Sequence, residues 1–195
     1  MSDKIKILFD SYHLYHLPQF EPLIDLLGMD KRFDIFHSTS NEIPNQEYDL
    51  CSSILRKKPG LFIEAETEKI RQEKIKMLDL NFFICGWSRY DIDKYVTKKT
   101  IVGMIYHGIG IKPSYWLDNH QRLDLRFVEG EYRVKQLQQN GIDTRLELTG
   151  FMKLDPIFQK NKIDINNIEQ KYNLDPNKKT ILFAPTFYPS SVEPI

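Results

Sequence analysis

Residues 106–113 read YHGIGIKP and close the apolar run TIVGMIYHG, so a histidine, two glycines and a lysine fall within six positions of a strand end. The whole chain has only nine glycines and five histidines, which gives the grouping chemical interest. In open parallel sheets, ligands bind beyond the carboxyl ends of the strands, where loops converge and helix N-termini direct their N–H groups. An imidazole at a strand tip projects into that space. With an ordinary pKa of about 6.5 it can take a proton from a hydroxyl near neutral pH, which makes His107 a candidate general base. Gly108 and Gly110 would allow close backbone approach to a ligand or a positive φ, and Lys112 can offer charge to a phosphate. A His-Gly pair at a strand end is equally an ordinary turn, and spacing does not separate the two readings.

Other side chains reach the same region if the strands lie as expected. SYHLYHLP, 11–18, follows the first strand and brings Tyr12 and His13 towards the cleft, although His13 and His16 equally suit a surface loop. In CGWSRYD, 85–91, Arg89 can meet a phosphate as a bidentate donor, or can sit in a surface salt bridge beside an aromatic plug. The Lys-Lys pairs at 57–58 and 98–99 suit a solvated edge, or attraction to an anionic membrane or polymer. His37 and His120 suggest no partner.

The elements that must position these residues alternate. KIKILFDS, 4–11, reads as a strand, and LPQFEPLIDLLGMD, 17–30, as a helix ending near Gly28. FDIFHST, 33–39, is a second strand, and the polar NEIPNQEYD after it reads as a loop. AETEKIRQEKIKMLDL, 65–80, reads as a surface helix with Ile70, Lys74 and Met77 or Leu78 on or beside one face. Strands follow at NFFICG, 81–86, and TIVGMIYHG, 100–108, with a helix beginning around Pro113 and Ser114. DLRFVEG, 124–130, is a strand, EYRVKQLQQNG, 131–141, a helix, and TRLELTG, 144–150, a strand. This alternation predicts an α/β, Rossmann-like, doubly wound and mainly parallel sheet. One more helix and a strand at 179–184 follow.

Composition narrows the partners. The 27 basic and 27 acidic residues cancel, which argues against a generally basic nucleic-acid binder. Cys51 and Cys85 lack CxxC or His-pair spacing, so buried thiols in a reducing compartment are expected, with no structural metal. The N-terminus has no basic region followed by an apolar signal core, and no apolar run approaches the ~18–20 residues of a membrane span. A cytoplasmic location is expected, and a peripheral place on the inner face of the plasma membrane is compatible with it.

The blocks YHGIGIK, VEGEYRVKQLQQNGI, LTGFMKLDPIF and KKTILFAPTF occur in an order and spacing that resembles the CDP-glycerol glycerophosphotransferase family, which includes teichoic-acid primases and polymerases. The resemblance covers roughly residues 100–187. It implies a GT-B architecture, in which two Rossmann-like domains face each other, the first holding mainly acceptor and the second mainly nucleotide donor. His107 and Gly108 match the family's His-Gly motif, whose histidine is the base that deprotonates the acceptor hydroxyl. Gly130, Glu131 and Tyr132 match a Gly-Glu-Tyr-like element at the start of a helix. Gly150, Phe151, Leu154 and Asp155 match a Gly-aromatic-x-x-Leu-Asp element, and Ala184, Pro185 and Thr186 the first loop of the donor half.

The resemblance thus implies that His107 is catalytic. Gly108, Gly130 and Glu131 by that resemblance, and Gly110, Lys112, Tyr12, His13 and Arg89 by their own chemistry and placement, would bind substrate, and Pro185 and Thr186 would meet the donor by the resemblance. It implies no cofactor and no metal, a CDP-glycerol-like nucleotide-activated donor, and a glycerophosphate or sugar acceptor. Family members continue well beyond this length. The expected organisation is therefore an acceptor-side domain at 1–155, the N-terminal domain of a GT-B fold, a linker and helix at 156–178, and the start of a nucleotide-binding domain at 179–195. Such an acceptor half would be inactive alone. The alternatives are a GT-B glycosyltransferase or epimerase acting on a nucleotide sugar, and a non-catalytic Rossmann-like binding module.

Overall fold

A computed structural model describes residues 4–88, 90–110, 113–117, 120, 122–159 and 165–183. The chain divides into two compact units, Met1–Asp155 and Pro156–Ile195. The first is built on seven strands: β1 (Ile5–Asp10), β2 (Phe33–Ser38), β3 (Leu61–Phe62), β4 (Phe82–Cys85), β5 (Ile101–Ile105), β6 (Leu125–Val128) and β7 (Arg145–Leu148). They run parallel in the order β3-β2-β1-β4-β5-β6-β7. The doubly wound α/β class expected from the alternation is the one the chain adopts.

Side chains of period two divide along each strand between two cores. Leu8, Phe83, Cys85, Val102, Met104 and Val128 point to one face. Ile7, Phe9, Ile35, Ile84 and Ile105 point to the other. The second face is covered by α1 (Leu17–Leu27) and α2 (Asn45–Leu55) through Leu17, Phe20, Ile24, Cys51 and Leu55. The first is covered by α3 (Glu68–Met77) and α5 (Glu131–Gln139) through Ile75 and Leu137. A four-residue helix, α4 (Ser114–Leu117), follows β5. Cys51 and Cys85 are free and buried, and burial pushes the Cys51 thiol up to about 11.

Local signals account for the helix ends. Pro18 lies in the first turn of α1, where its missing N–H is not needed. The helix closes where Gly28 N–H reaches Ile24 O at 2.8 Å. The Thr67 side chain caps α3 by accepting from the Ile70 N–H at 3.3 Å. Gly150, after β7, has φ +83, the left-handed conformation that favours glycine.

Three expectations are corrected. The polar stretch read as a loop contains the start of α2, because Cys51 and Leu55, four apart, give an otherwise polar helix a buried side. On α3 the inward residues are Arg71 and Ile75, whereas Met77 is 84% exposed. An arginine is drawn inside because two carboxylates wait for it, a pairing that hydrophobic periodicity does not register. Residues 179–183 of the strand expected at 179–184 form none, and Ile181, Leu182 and Phe183 are exposed by 92%, 86% and 65%. No neighbouring strand among the described residues pairs with them, and an extended segment becomes a strand only through such hydrogen bonds. The second unit carries α7 (Ile165–Lys171), and α6 (Asp155–Phe158) leads into it.

Candidate active site

The chain reverses its direction of travel across the sheet between β1 and β4. Such a reversal places a candidate crevice at the carboxyl ends of the strands, and here the loops leaving β1 and β4 pack on one another through Tyr12, His16, Trp87 and Tyr90. Register levels the ends: Asp10 lies opposite Cys85, and Cys85 opposite Met104. The loop after β1 brings Tyr12, His13, Tyr15 and His16 into this crevice, the loop after β4 brings Gly86 and Trp87, and β5 leads to His107.

His107 is half-buried, and its two ring nitrogens have different partners. Nδ1 lies 3.0 Å from Gly86 O. A carbonyl oxygen only accepts, so Nδ1 carries the hydrogen, and in the neutral ring Nε2 keeps the lone pair. Tyr115 Oη lies 3.3 Å from Nε2 and donates to it when the ring is neutral, so the lone pair then faces a hydroxyl. The rings of Tyr15 and His16 lie 5.1 Å from the His107 ring, and that of Tyr115 5.7 Å. A base must have such a nitrogen in reach of an incoming O–H, and the neutral carbonyl behind it fixes the ring.

His16 is fully buried beneath Gly86. Its Nδ1 accepts the His13 N–H at 3.4 Å, while no described residue hydrogen-bonds Nε2. Burial, reinforced by the proximity of His107 and His13, lowers its pKa to about 2. This imidazole is therefore neutral in the fold throughout the usual pH range. The unfolded chain takes up a proton at about pH 6.5 and the folded one does not, so stability present above that pH is lost as the pH falls. At pH 5 the loss expected from His16 is about 2 kcal/mol. Urea unfolding at pH 7 and pH 5 checks it, with His16→Gln expected to flatten the difference.

Both histidines depend on Gly86, His107 through its carbonyl oxygen and His16 through the absence of a side chain. A Cβ there would sit 2.6 Å from His16 Cγ and 2.9 Å from its Cβ. Gly86→Ala is expected to displace the His16 ring or the carbonyl that anchors His107, with a stability loss of about 1–3 kcal/mol, measurable by denaturant unfolding. Gly108 serves a related purpose: a Cβ would lie 2.7 Å from Tyr115 Oη, the hydroxyl held at His107. Neither Gly108 nor Gly110 has a positive φ, and a Cβ on Gly110 would find only an ordinary contact with Tyr115 at 3.5 Å. The conformational freedom expected of the two glycines is thus not used, and Gly108 matters for space.

A buried ionic network lies beneath the crevice. Arg71 Nη1 reaches Asp10 Oδ1 at 2.6 Å, and Arg71 Nη2 reaches Glu68 Oε1 at 2.5 Å. Ser38 Oγ and Tyr90 Oη donate to Asp10 at 2.7 and 2.6 Å, and Tyr95 Oη donates to Glu68. The network ties the ends of β1 and β2 to α3 and to the segment after β4. Tyr12 is 8% exposed and donates to Glu42 Oε2 at 2.5 Å; burial and that carboxylate push its phenol up to about 12. It therefore presents a ring wall, packed 5.6 Å from Trp87 and 5.0 Å from Tyr90. His13 is partly exposed and packs at 5.2 Å against Trp87.

The remaining sequence candidates are distributed as follows. Gly130 and Glu131 stand at the start of α5, after the strand next to β5, with Glu131 exposed. Arg133 links this helix to the histidine loop: Nη2 donates to Gly110 O at 3.1 Å, and the guanidinium lies over Tyr115 and Trp116 at 5.5 and 5.6 Å. Arg89, Lys112, Pro185 and Thr186 lie outside the described residues. Sequence reasoning missed Tyr15, Gly86, Tyr115 and Arg133 as parts of the candidate site, and the surface-loop alternative it kept for His16 is excluded by that residue's burial. The one usable signal was the repeat of aromatic and histidine residues in YHLYH.

Residues 111–193 match the family described as CDP-Glycerol:Poly(glycerophosphate) glycerophosphotransferase. The match supports that family. Within the matched segment lie β6, which pairs with β5, and α5, whose Arg133 reaches Gly110 O, with β7 one strand further out, whereas His107 itself stands four residues before the match. No curated protein matches the chain. The family supports a transfer reaction of the CDP-glycerol glycerophosphotransferase type, and hence a nucleotide-activated donor. Among the described residues, no group of three or more His, Cys, Asp or Glu is placed to hold a metal ion, and no helix is long and apolar enough to cross a membrane.

Proposed function

We propose that this chain supplies the acceptor side of a transferase that moves glycerol phosphate, or a related polyol phosphate, from a CDP-activated donor to a hydroxyl. The polymer served would be of the teichoic-acid or capsular kind, assembled at the inner membrane face. The observation that carries the reading is the His107 ring, with Nδ1–H on Gly86 O and the Nε2 lone pair directed at a hydroxyl.

In the proposed reaction the acceptor O–H takes the place of the Tyr115 hydroxyl at His107 Nε2. As Nε2 removes the proton, the acceptor oxygen forms a bond to the β-phosphorus of CDP-glycerol. The bond from that phosphorus to the bridging oxygen breaks, and CMP leaves with the electron pair. The imidazolium formed on His107 keeps its Nδ1–H on Gly86 O, so no reorientation accompanies the charge. Lys112 and Arg89 are proposed to meet phosphate oxygens, Gly130 and Glu131 to border the acceptor, and Pro185 and Thr186 to belong to the donor side. The proposed division is an acceptor domain at 1–155, a linker and helix at 156–178 and the start of a donor domain from 179.

The test is CMP release from CDP-glycerol by the full-length protein with a glycerophosphate-primed or sugar acceptor. Acceptor-dependent CMP release is expected. Transfer of a sugar from a nucleotide sugar, with CDP-glycerol inert, would contradict the proposal. In a second measurement, residues 1–195 alone are expected to bind CDP-glycerol weakly or not at all, and tight binding would move the donor site onto this unit.

A further inference from the structure

The His107 arrangement has a counterpart in the same crevice. His13 Nδ1 lies 3.1 Å from Glu47 Oε1, and that oxygen also accepts the Leu14 N–H at 2.8 Å. Glu47 stands in the first turn of α2, where a carboxylate is favoured by the helix N-terminus. The imidazole is held on its other sides as well. It stacks on Tyr15 at 4.9 Å and 13°, and meets Trp87 edge-on at 5.2 Å and 89°. Its backbone N–H is fixed by His16 Nδ1 at 3.4 Å.

We propose that Glu47 is a positioning residue that sets His13 in the Nδ1–H form and leaves its Nε2 lone pair to accept a hydrogen bond from a second hydroxyl of the substrate. The carboxylate only accepts, so a hydrogen bond at 3.1 Å places the proton on Nδ1. No described residue hydrogen-bonds Nε2, and the His13 and Glu47 side chains keep 22% and 24% of their surface exposed. Tyr15 lies between the two imidazoles, 4.9 Å from His13 and 5.1 Å from His107. A ligand lying across Tyr15 meets one accepting nitrogen at each end.

The chemistry selects a polyhydroxylic ligand over a phosphate at the His13 end. Glu47 at His13, Glu42 at Tyr12 and Glu21 in the pocket beside Tyr15 outnumber Lys153, which lines that same pocket, so carboxylates prevail on this side, while a lone-pair nitrogen has a use only for a donor. The acceptor would therefore present at least two hydroxyls, as a polyol or a sugar ring does, one reacting at His107 and one held at His13. This deepens the transferase reading and rests on it for the ligand; the ring geometry does not.

Long-range 1H–15N spectra of the 195-residue chain at neutral pH read the protonated nitrogen of each histidine directly. His13 is expected to carry its hydrogen on Nδ1. Glu47→Gln, which keeps an accepting oxygen, should preserve that form, and Glu47→Ala should relax it towards the Nε2–H form that free imidazoles prefer. A wild-type His13 protonated on Nε2, or no change in Glu47→Ala, would overturn the pairing. Glycerol should shift His13 Nε2 in a saturable way and bind about fivefold more weakly to Glu47→Ala, the size of one neutral hydrogen bond. Inorganic phosphate should shift it less. No response to glycerol, or a stronger response to phosphate, would overturn the hydroxyl role. Should Glu47→Ala fail to fold, the wild-type ring assignment and the glycerol titration of His13→Phe, expected to be weakened to the same degree, decide the matter. None of these outcomes depends on transfer, so they fail separately from the His107 assignment.

Discussion

Replacing His107 with alanine in the full-length protein is expected to lower kcat/KM for glycerophosphate transfer by roughly 10²–10⁴-fold, the usual contribution of a positioned general base. The loss should fall on kcat more than on the KM of CDP-glycerol, since the ring acts on the acceptor hydroxyl. The ring is half-buried, among Tyr15, His16 and Tyr115, and its hydrogen bonds to described residues are with the neutral Gly86 carbonyl and Tyr115 hydroxyl. Thermal unfolding should accordingly change little by comparison. Transfer within a few-fold of wild type would remove His107 from the chemistry and leave it as a filler between β4 and β5.

The largest stability effect is expected at Arg71. Its side chain is 1% exposed and pairs with Asp10, 0% exposed, and Glu68, 10% exposed. Removing one partner of such a buried cluster strands the other charges away from water and costs about 3–5 kcal/mol. Arg71→Ala should lose that much by urea unfolding at pH 7, enough to threaten a domain of ordinary stability. The network also has a pH signature. Burial opposes ionisation of Glu68, but the hydrogen bonds and charge of Arg71 outweigh it, with help from Tyr95, and hold the carboxyl below its usual range. A carboxyl depressed in the fold contributes stability that is complete above its unfolded value of about 4.3 and fades as the pH falls through the folded value. Below pH 4.3 this loss adds to that from His16. A small change in unfolding free energy for Arg71→Ala would mean that water reaches Asp10 and Glu68 in the native chain.

The sheet was legible because its signals are local. The central parallel strands are buried on both faces and read as short apolar runs, and the helices between them carry stops such as Gly28 and Gly141. The place of His107 just beyond a strand end was legible for the same reason, since a strand end followed by glycines can be read along one segment. What escaped the sequence is whatever depends on contacts between distant segments. Gly86 reads only as the end of the strand NFFICG until His16, seventy positions earlier, is found packed against it. Arg71 sits where an apolar residue would satisfy the helix pattern, and its justification is Asp10, 61 residues away. Arg133 reads as a solvated charge in a polar helix, yet it holds the carbonyl of Gly110. Glu47 belongs to a stretch whose polarity suggested a loop, and its partner His13 lies 34 residues before it.

The most direct test of His107 as the acceptor base is the pH dependence of kcat/KM for transfer in the full-length protein, measured for wild type and for the residual activity of His107→Ala. In wild type the rate should rise with pH through the range where an imidazole loses its proton, and in His107→Ala that rise should vanish. If the same limb persists in His107→Ala, another group removes the proton, and the mechanism built on the Gly86–His107 pair is wrong.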